Sequence, residues 1–535
     1  MVEAAGESAR VPTEALRRRT FAVISHPDAG KSTLTEALAL YAEAIDEAGA
    51  VHGKAGRRGV TSDWMEMERR RGISITSTVL QFGYRDCVIN LLDTPGHGDF
   101  SEDTYRVLAA VDAAVMLLDA AKGLEPQTLK LFDVCRTRAI PVLTFVNKWD
   151  RPGREALELL DEVEQTIGLR PMPITWPVGL AGELRGLVEC GTEGFTRFHR
   201  TAGGATRAAV EAVPAARAAR EESQYWPTVQ EELALLREVG AEFDEKQFRT
   251  GSATPVLFGA ALPGVGVARL LDALVDLAPA PEARPDAEGA PRALDAPTSG
   301  LVFKVQAGMD RSHRDRMAFV RICSGRFERG MVLTHAATGR PFATKYAQAV
   351  FGQQRTTVEE AFPGDIVGLV NAGALRPGDT LYAEDRVAFA AIPSFAPEHF
   401  AVVRSADAGT YKQFRRGIEQ LDGEGVIQVL SSDLRGDQAP VLAAVGPLQF
   451  EVVTTRLESE FRAPVALEPL GYSVARRTDA AGAALLAGQS EVEVLTRRSD
   501  GVLLAVFGTK WRLETIRRKF TDLVLDALPA GSADR

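Results

Sequence analysis

Apolar and polar positions follow two different periods along this chain, and the changes between them mark its parts. Residues 20–24 form a short continuous apolar run that breaks off into a loop, and an apolar-periodic helix begins near Lys31. That order is strand, loop, helix. Further apolar runs at 88–92, 113–118 and 141–146 are separated by segments long enough to carry helices. The alternation predicts a largely parallel sheet wrapped by helices. From Arg151 to about Gly251 the pattern breaks, with an Ala- and Arg-rich stretch at 201–220 and a helix-like stretch at 231–243. An insertion is expected there. The earlier pattern returns as a strand at 254–261 and a helix at 267–277, which places the first domain at 15–279.

Residues 280–299 are rich in Pro, Ala, Asp and Arg without periodicity and read as a linker. Alternating segments at 301–306 and 317–322 follow, with turns at Gly325, Gly330, Pro363-Gly364 and Pro377-Gly378. They predict an antiparallel β-barrel over 300–395. The remainder, 396–535, mixes helices and strands as an α+β unit.

Composition agrees with several domains. The chain has 535 residues, whereas single cores stop growing at roughly 250–300. With 45% hydrophobic and 25% charged residues it is an ordinary globular chain. No run approaches the length of a membrane span, and the start, MVEAAGESAR, lacks a secretory apolar core. No membrane partner and a cytoplasmic location are expected. Cys87, Cys135, Cys190 and Cys323 lie far apart without a CxxC pair, which points to buried thiols rather than a zinc site or disulfides. A net charge of -10 argues against indiscriminate nucleic-acid binding. Local clusters remain at Arg69–Arg71, at Arg311, Arg314 and Arg316, and at Lys510, Arg512, Arg517, Arg518 and Lys519. Each is either a solvated face or an RNA contact.

The loop after the first strand approaches the phosphate-loop pattern GxxxxGK[ST], with Ser25 in the place of the first glycine. It comprises Ser25, His26, Pro27, Asp28, Ala29, Gly30, Lys31, Ser32 and Thr33. Such a loop aims backbone N–H groups and a helix N-terminus at polyphosphate. Lys31 would reach the β- and γ-phosphates, and the Ser32 hydroxyl would ligate Mg²⁺. Asp93 ends a second apolar run and opens Asp93, Thr94, Pro95, Gly96 and His97, where a carboxylate can hold a magnesium water and the Gly96 N–H can meet the γ-phosphate. Asp119 ends a similar run but lacks a glycine three positions on, so Asp93 is preferred. Between the two elements, residues 71–76 place Ser74 as a second magnesium ligand on a loop released after hydrolysis.

Asn147, Lys148 and Asp150 stand at the carboxyl end of a strand, where open α/β sheets bind ligands. The Asp150 carboxylate can accept from guanine N1–H and the 2-amino group, which adenine does not offer. Lys148 would lie along the base, and Asn147 would tie this loop to the phosphate loop. Ala260, Ala261 and Leu262 would add a backbone N–H to guanine O6, from Ala261. GTP and GDP are the expected ligands.

SHPDAGKS (25–32), SDWMEMERRRGISITS (62–77), DTPGHGDFSEDTYR (93–106), FVNKWDR (145–151) and FKVQAGMDRSHRDRMAFVRICSGRFERGM (303–331) together resemble the class II peptide chain release factors of the translational GTPases. The resemblance covers nearly the whole chain except the Ala- and Arg-rich insertion. It implies an α/β P-loop GTPase domain, a translation-factor β-barrel and an α+β C-terminal domain. It also implies a monomer that uses GTP on the ribosome to expel a class I release factor. It makes His97 the residue that orients the attacking water, with Pro27 and Ile73 as an apolar gate. Ser25, Ser74 and Ala260 depart from the wider GTPase pattern. An elongation-type factor is disfavoured because the chain ends at Arg535, and a signalling switch is disfavoured by His97 and the barrel.

Overall fold

The computed structural model describes residues 10–42, 77–199, 208–307, 316–351, 354–432, 434–436 and 438–528. Strands β1 (Arg18–Ile24), β2 (Thr78–Tyr84), β3 (Cys87–Asp93), β4 (Ala113–Asp119), β5 (Val142–Asn147), β6 (Arg170–Pro173) and β11 (Ala253–Phe258) form one sheet in the order β2-β3-β1-β4-β5-β11-β6. Edge strand β2 runs antiparallel to β3, and the other pairings are parallel. Alternation along β1 sends Phe21 and Val23 to one face, against Leu34 and Leu38 of the helix Lys31–Tyr41. Ala22 and Ile24 go to the other, against Val107, Leu131 and Phe132. With helices on both faces the strand interiors are mostly apolar, as a buried parallel sheet requires, and the buried Thr144 and Thr254 hydroxyls on neighbouring strands pair with each other at 2.8 Å.

The expected insertion begins later than Arg151. The helix Ala156–Ile167 and strand β6 belong to the main sheet layer, and β6 pairs with β11. Two prolines in the four residues of β6 are tolerated because it is an edge strand. The added unit is a four-stranded antiparallel sheet of β7 (Thr175–Val178), β8 (Gly186–Glu189), β9 (Phe195–His199) and β10 (Ala209–Val213), packed with the helix Trp226–Glu238 around Trp176, Phe195 and Trp226. The expected linker is also ordered in part. Arg284–Pro285 pairs with Pro291–Arg292, and the Arg284 guanidinium lies over Phe389.

Strands between Ser299 and Tyr382 make an eight-stranded antiparallel sheet, and Phe303, Met317, Phe319 and Ile366 from it join the core beneath β1 and β4. Buried polar contacts fix that junction: Arg321 donates to the Ala110 carbonyl and to Asp112, both at 2.6 Å, and Lys304 donates to Ser77 Oγ at 2.9 Å. From His399 onward a seven-stranded sheet carries the helices Tyr411–Glu424, Leu448–Phe461 and Lys510–Lys519. Cys135 and Cys323 are buried and Cys87 and Cys190 half-buried, all as free thiols.

Candidate nucleotide site

The turn from β1 into the helix Lys31–Tyr41 is made by two left-handed residues, Asp28 (φ 65°) and Gly30 (φ 102°). A Cβ on Gly30 would stand 2.6 Å from Asn147 Nδ2, so a glycine lets this loop close against the end of β5. Ser25 is buried, and its hydroxyl donates to the His26 carbonyl at 2.8 Å. No side chain caps the helix N-terminus, where the dipole and the first-turn N–H groups favour an anion. Ser32 and Thr33 are half-buried in that first turn.

The buried Lys31 ammonium points back to the Ser25 carbonyl at 3.4 Å. Burial pushes its pKa down to about 8 against the pull of Asp93, which closes β3 at 2% exposure. Thr94 Oγ1 donates to the Val23 carbonyl at 2.7 Å and binds this turn to β1. Gly96 follows Pro95 so close to Lys31 that a Cβ would lie 2.8 Å from Nζ and 3.5 Å from Pro27 Cα. His97, half-exposed, leads into the single turn Gly98–Phe100, and its Nδ1 accepts the Asp99 N–H at 3.3 Å. Ser74 and Ile73 lie outside the described residues.

At the other end both polar atoms of the Asn147 side chain are engaged: Nδ2 donates to the Ala29 carbonyl and Oδ1 accepts the Ala261 N–H, each at 2.8 Å. The Ala261 N–H therefore has a different acceptor from guanine O6, and Ala260 and Ala261 are buried behind the exposed Leu262. Lys148 is left-handed (φ 67°); its ammonium reaches the Asp28 carbonyl and makes an ion pair of 2.8 Å with Asp119. Trp149 anchors the loop, with its backbone N–H on the Gly259 carbonyl at 3.1 Å and its indole on Gly179 at 3.3 Å. Asp150 follows, half-buried.

Two residues gain roles that spacing along the chain did not show. Burial would raise the Asp119 carboxyl, but Lys148 and the Ala121 N–H hold it below the usual range, so it stays charged beside the base loop. His26 is buried with its Nδ1 against the Glu125 carboxylate, and burial holds its pKa below the ordinary 6.5. The first contact follows from sheet register, since Asp119 lies opposite Asn147; in the second, His26 meets Glu125, the residue ahead of the helix Pro126–Thr137.

Residues 16–280 match the Elongation factor Tu GTP binding domain, residues 297–384 match Elongation factor G domain 2, and residues 389–517 match the Class II release factor RF3, C-terminal domain. The chain is 47% identical over 522 residues to peptide chain release factor 3 of Microcystis aeruginosa, covering 96% of each chain. It is 52% identical over 464 residues to that of Gloeobacter violaceus, covering 86% of this chain and 87% of the relative. A crystal structure of a Thermus thermophilus protein shares the fold at a TM-score of 0.67 and 22% identity, over 85% of this chain and 67% of its own. A guanine-nucleotide-binding GTPase domain, a barrel and a release-factor C-terminal domain thus follow one another, and the chain belongs to the peptide chain release factor 3 family of translational GTPases.

Proposed function

We propose that this protein hydrolyses GTP on the ribosome during translation termination and uses the cycle to dissociate class I release factors. The observation that carries the reading is the meeting of Gly96 and Lys31 at the phosphate end, which sets His97 beside the loop that would hold the γ-phosphate. Lys31 and the loop N–H groups bind the phosphates, Asp150 and Lys148 take the guanine, and His97 orients water toward the γ-phosphorus. The water oxygen bonds to phosphorus as the bond to the β–γ bridging oxygen breaks, giving GDP and inorganic phosphate. Since this reaction depends mainly on alignment and charge stabilisation, a movable histidine makes it conditional on the ribosome.

The phosphate end also suits a magnesium ion, for its donors are hard oxygens: the Ser32 hydroxyl in the first helical turn and the buried Asp93 carboxylate. Ser32 would hold the ion directly, Asp93 through water, and Ser74 from the segment outside the described residues. When bound, the ion offsets the charge of the phosphate oxygens. No helix among the described residues is long and apolar enough to cross a membrane. A monomer working in the cytoplasm is the state we propose, as the release-factor resemblance implies. The test is release of a class I factor from ribosomes that have already freed their peptide. Adding the protein with GTP is expected to speed dissociation well beyond its rate with GDP; equal rates would refute the recycling role.

A further inference from the structure

The catalytic loop is fastened to the C-terminal unit at three places. Asp99 Oδ2 accepts the backbone N–H of Leu448 at 2.7 Å. Leu448 opens the helix Leu448–Phe461, whose own N-cap residue, Pro447, supplies no side-chain cap. A carboxylate from the GTPase domain therefore caps a helix of another domain. Phe100 is buried against Val452, and Arg106 donates to the Gly425 carbonyl at 3.0 Å. Gly446 makes room for the first of these contacts, since a Cβ there would lie 2.1 Å from Asp99 Cγ.

The other oxygen of the same carboxylate, Oδ1, is 3.2 Å from His97 Nδ1. Nδ1 thus has two rival partners on one residue, the Asp99 carboxylate and the Asp99 backbone N–H at 3.3 Å. A neutral imidazole cannot satisfy both. If Nδ1 carries the proton it donates to the carboxylate, and Nε2 presents a lone pair; if Nδ1 accepts the backbone N–H, the proton sits on Nε2. Nε2 can accept a hydrogen from the attacking water only in the first state.

We propose that Asp99 is a positioning residue that selects the tautomer and orientation of His97 and makes both depend on docking of the helix Leu448–Phe461. The inference rests on His97 as the water-orienting group. With the helix docked, the Leu448 N–H and the space at Gly446 fix the carboxylate so that Oδ1 faces the ring. With it displaced, the backbone N–H is the partner that remains.

The test is ribosome-stimulated GTP hydrolysis under single-turnover conditions by the full-length chain, comparing Asp99→Asn, Gly446→Ala, His97→Ala and the His97→Ala/Asp99→Asn double variant. Nucleotide affinity and melting temperature are measured alongside. An asparagine can still cap Leu448 but offers Nδ1 a donor, so the rate should fall at least about tenfold, with GTP affinity unchanged. Gly446→Ala, which displaces the carboxylate from the C-terminal side, should lower it in the same direction. On the His97→Ala background Asp99→Asn should cost nothing further, a non-additivity that a merely structural cap would not give. A slow His97→Ala with an unimpaired Asp99→Asn, or full additivity, overturns the proposal while leaving the role of His97 intact. An unimpaired His97→Ala removes the reading on which it rests, and the proposal with it.

Discussion

Asn147 Nδ2 donates to the Ala29 carbonyl at 2.8 Å, so the strand that ends in the base loop also holds the phosphate loop. Asn147→Ala would leave that carbonyl and the Ala261 N–H without their partner. At about 1–3 kcal/mol for each buried group left unpaired, GTP and GDP affinity should both fall by at least about tenfold. Equilibrium binding of a fluorescent nucleotide checks this.

Lys148 depends on Asp119 in the same way. Asp119→Ala frees the ammonium from its partner; with Lys148 assigned to the guanine as proposed, GTP and GDP should weaken by the same factor. The loss of a hydrogen bond to a charged group corresponds to about 1.5–3 kcal/mol. A loss confined to GTP in the same binding assay would place Lys148 at the phosphates instead.

Asp150→Asn should reverse base preference. The amide donates where the carboxylate accepted, which suits the 2-oxo group of xanthine and disfavours the 2-amino group of guanine. Competition between GTP and XTP measures it, and retained GTP affinity would contradict the base-pocket assignment.

The parts of the site legible in the sequence are those whose chemistry is contiguous. Residues 25–32, 93–97 and 147–150 each follow directly from the end of one strand, so local spacing is enough to mark them. What escaped depends on distant chain segments meeting. The Asp119–Lys148 pair, the cap of Leu448 by Asp99 and the Ala261–Asn147 bond are set by sheet order and domain docking, which leave no local period. The same applies to β6. Arg170–Pro173 has poor strand propensity, and only its pairing at the sheet edge makes it one.

His26 supplies a pH prediction. Its folded pKa lies below the ordinary 6.5, because burial outweighs Glu125 and Asp119, while Lys122 pushes in the same direction as burial. Below 6.5 the unfolded chain therefore takes up a proton before the folded one does. Stability from this group is complete above 6.5 and lost as pH falls through the folded value. His26→Gln should flatten the melting-temperature profile on the acid side of 6.5, and an unchanged slope would assign it to other groups.

Ribosome-dependent switching of the GTPase is tested most directly by nucleotide hydrolysis by the purified protein with and without ribosomes, using ATP as control. Slow GTP turnover alone, a large rise with ribosomes and no ATP turnover are the predicted results. GTP turnover that ignores ribosomes, or ATP turnover at a comparable rate, would contradict it.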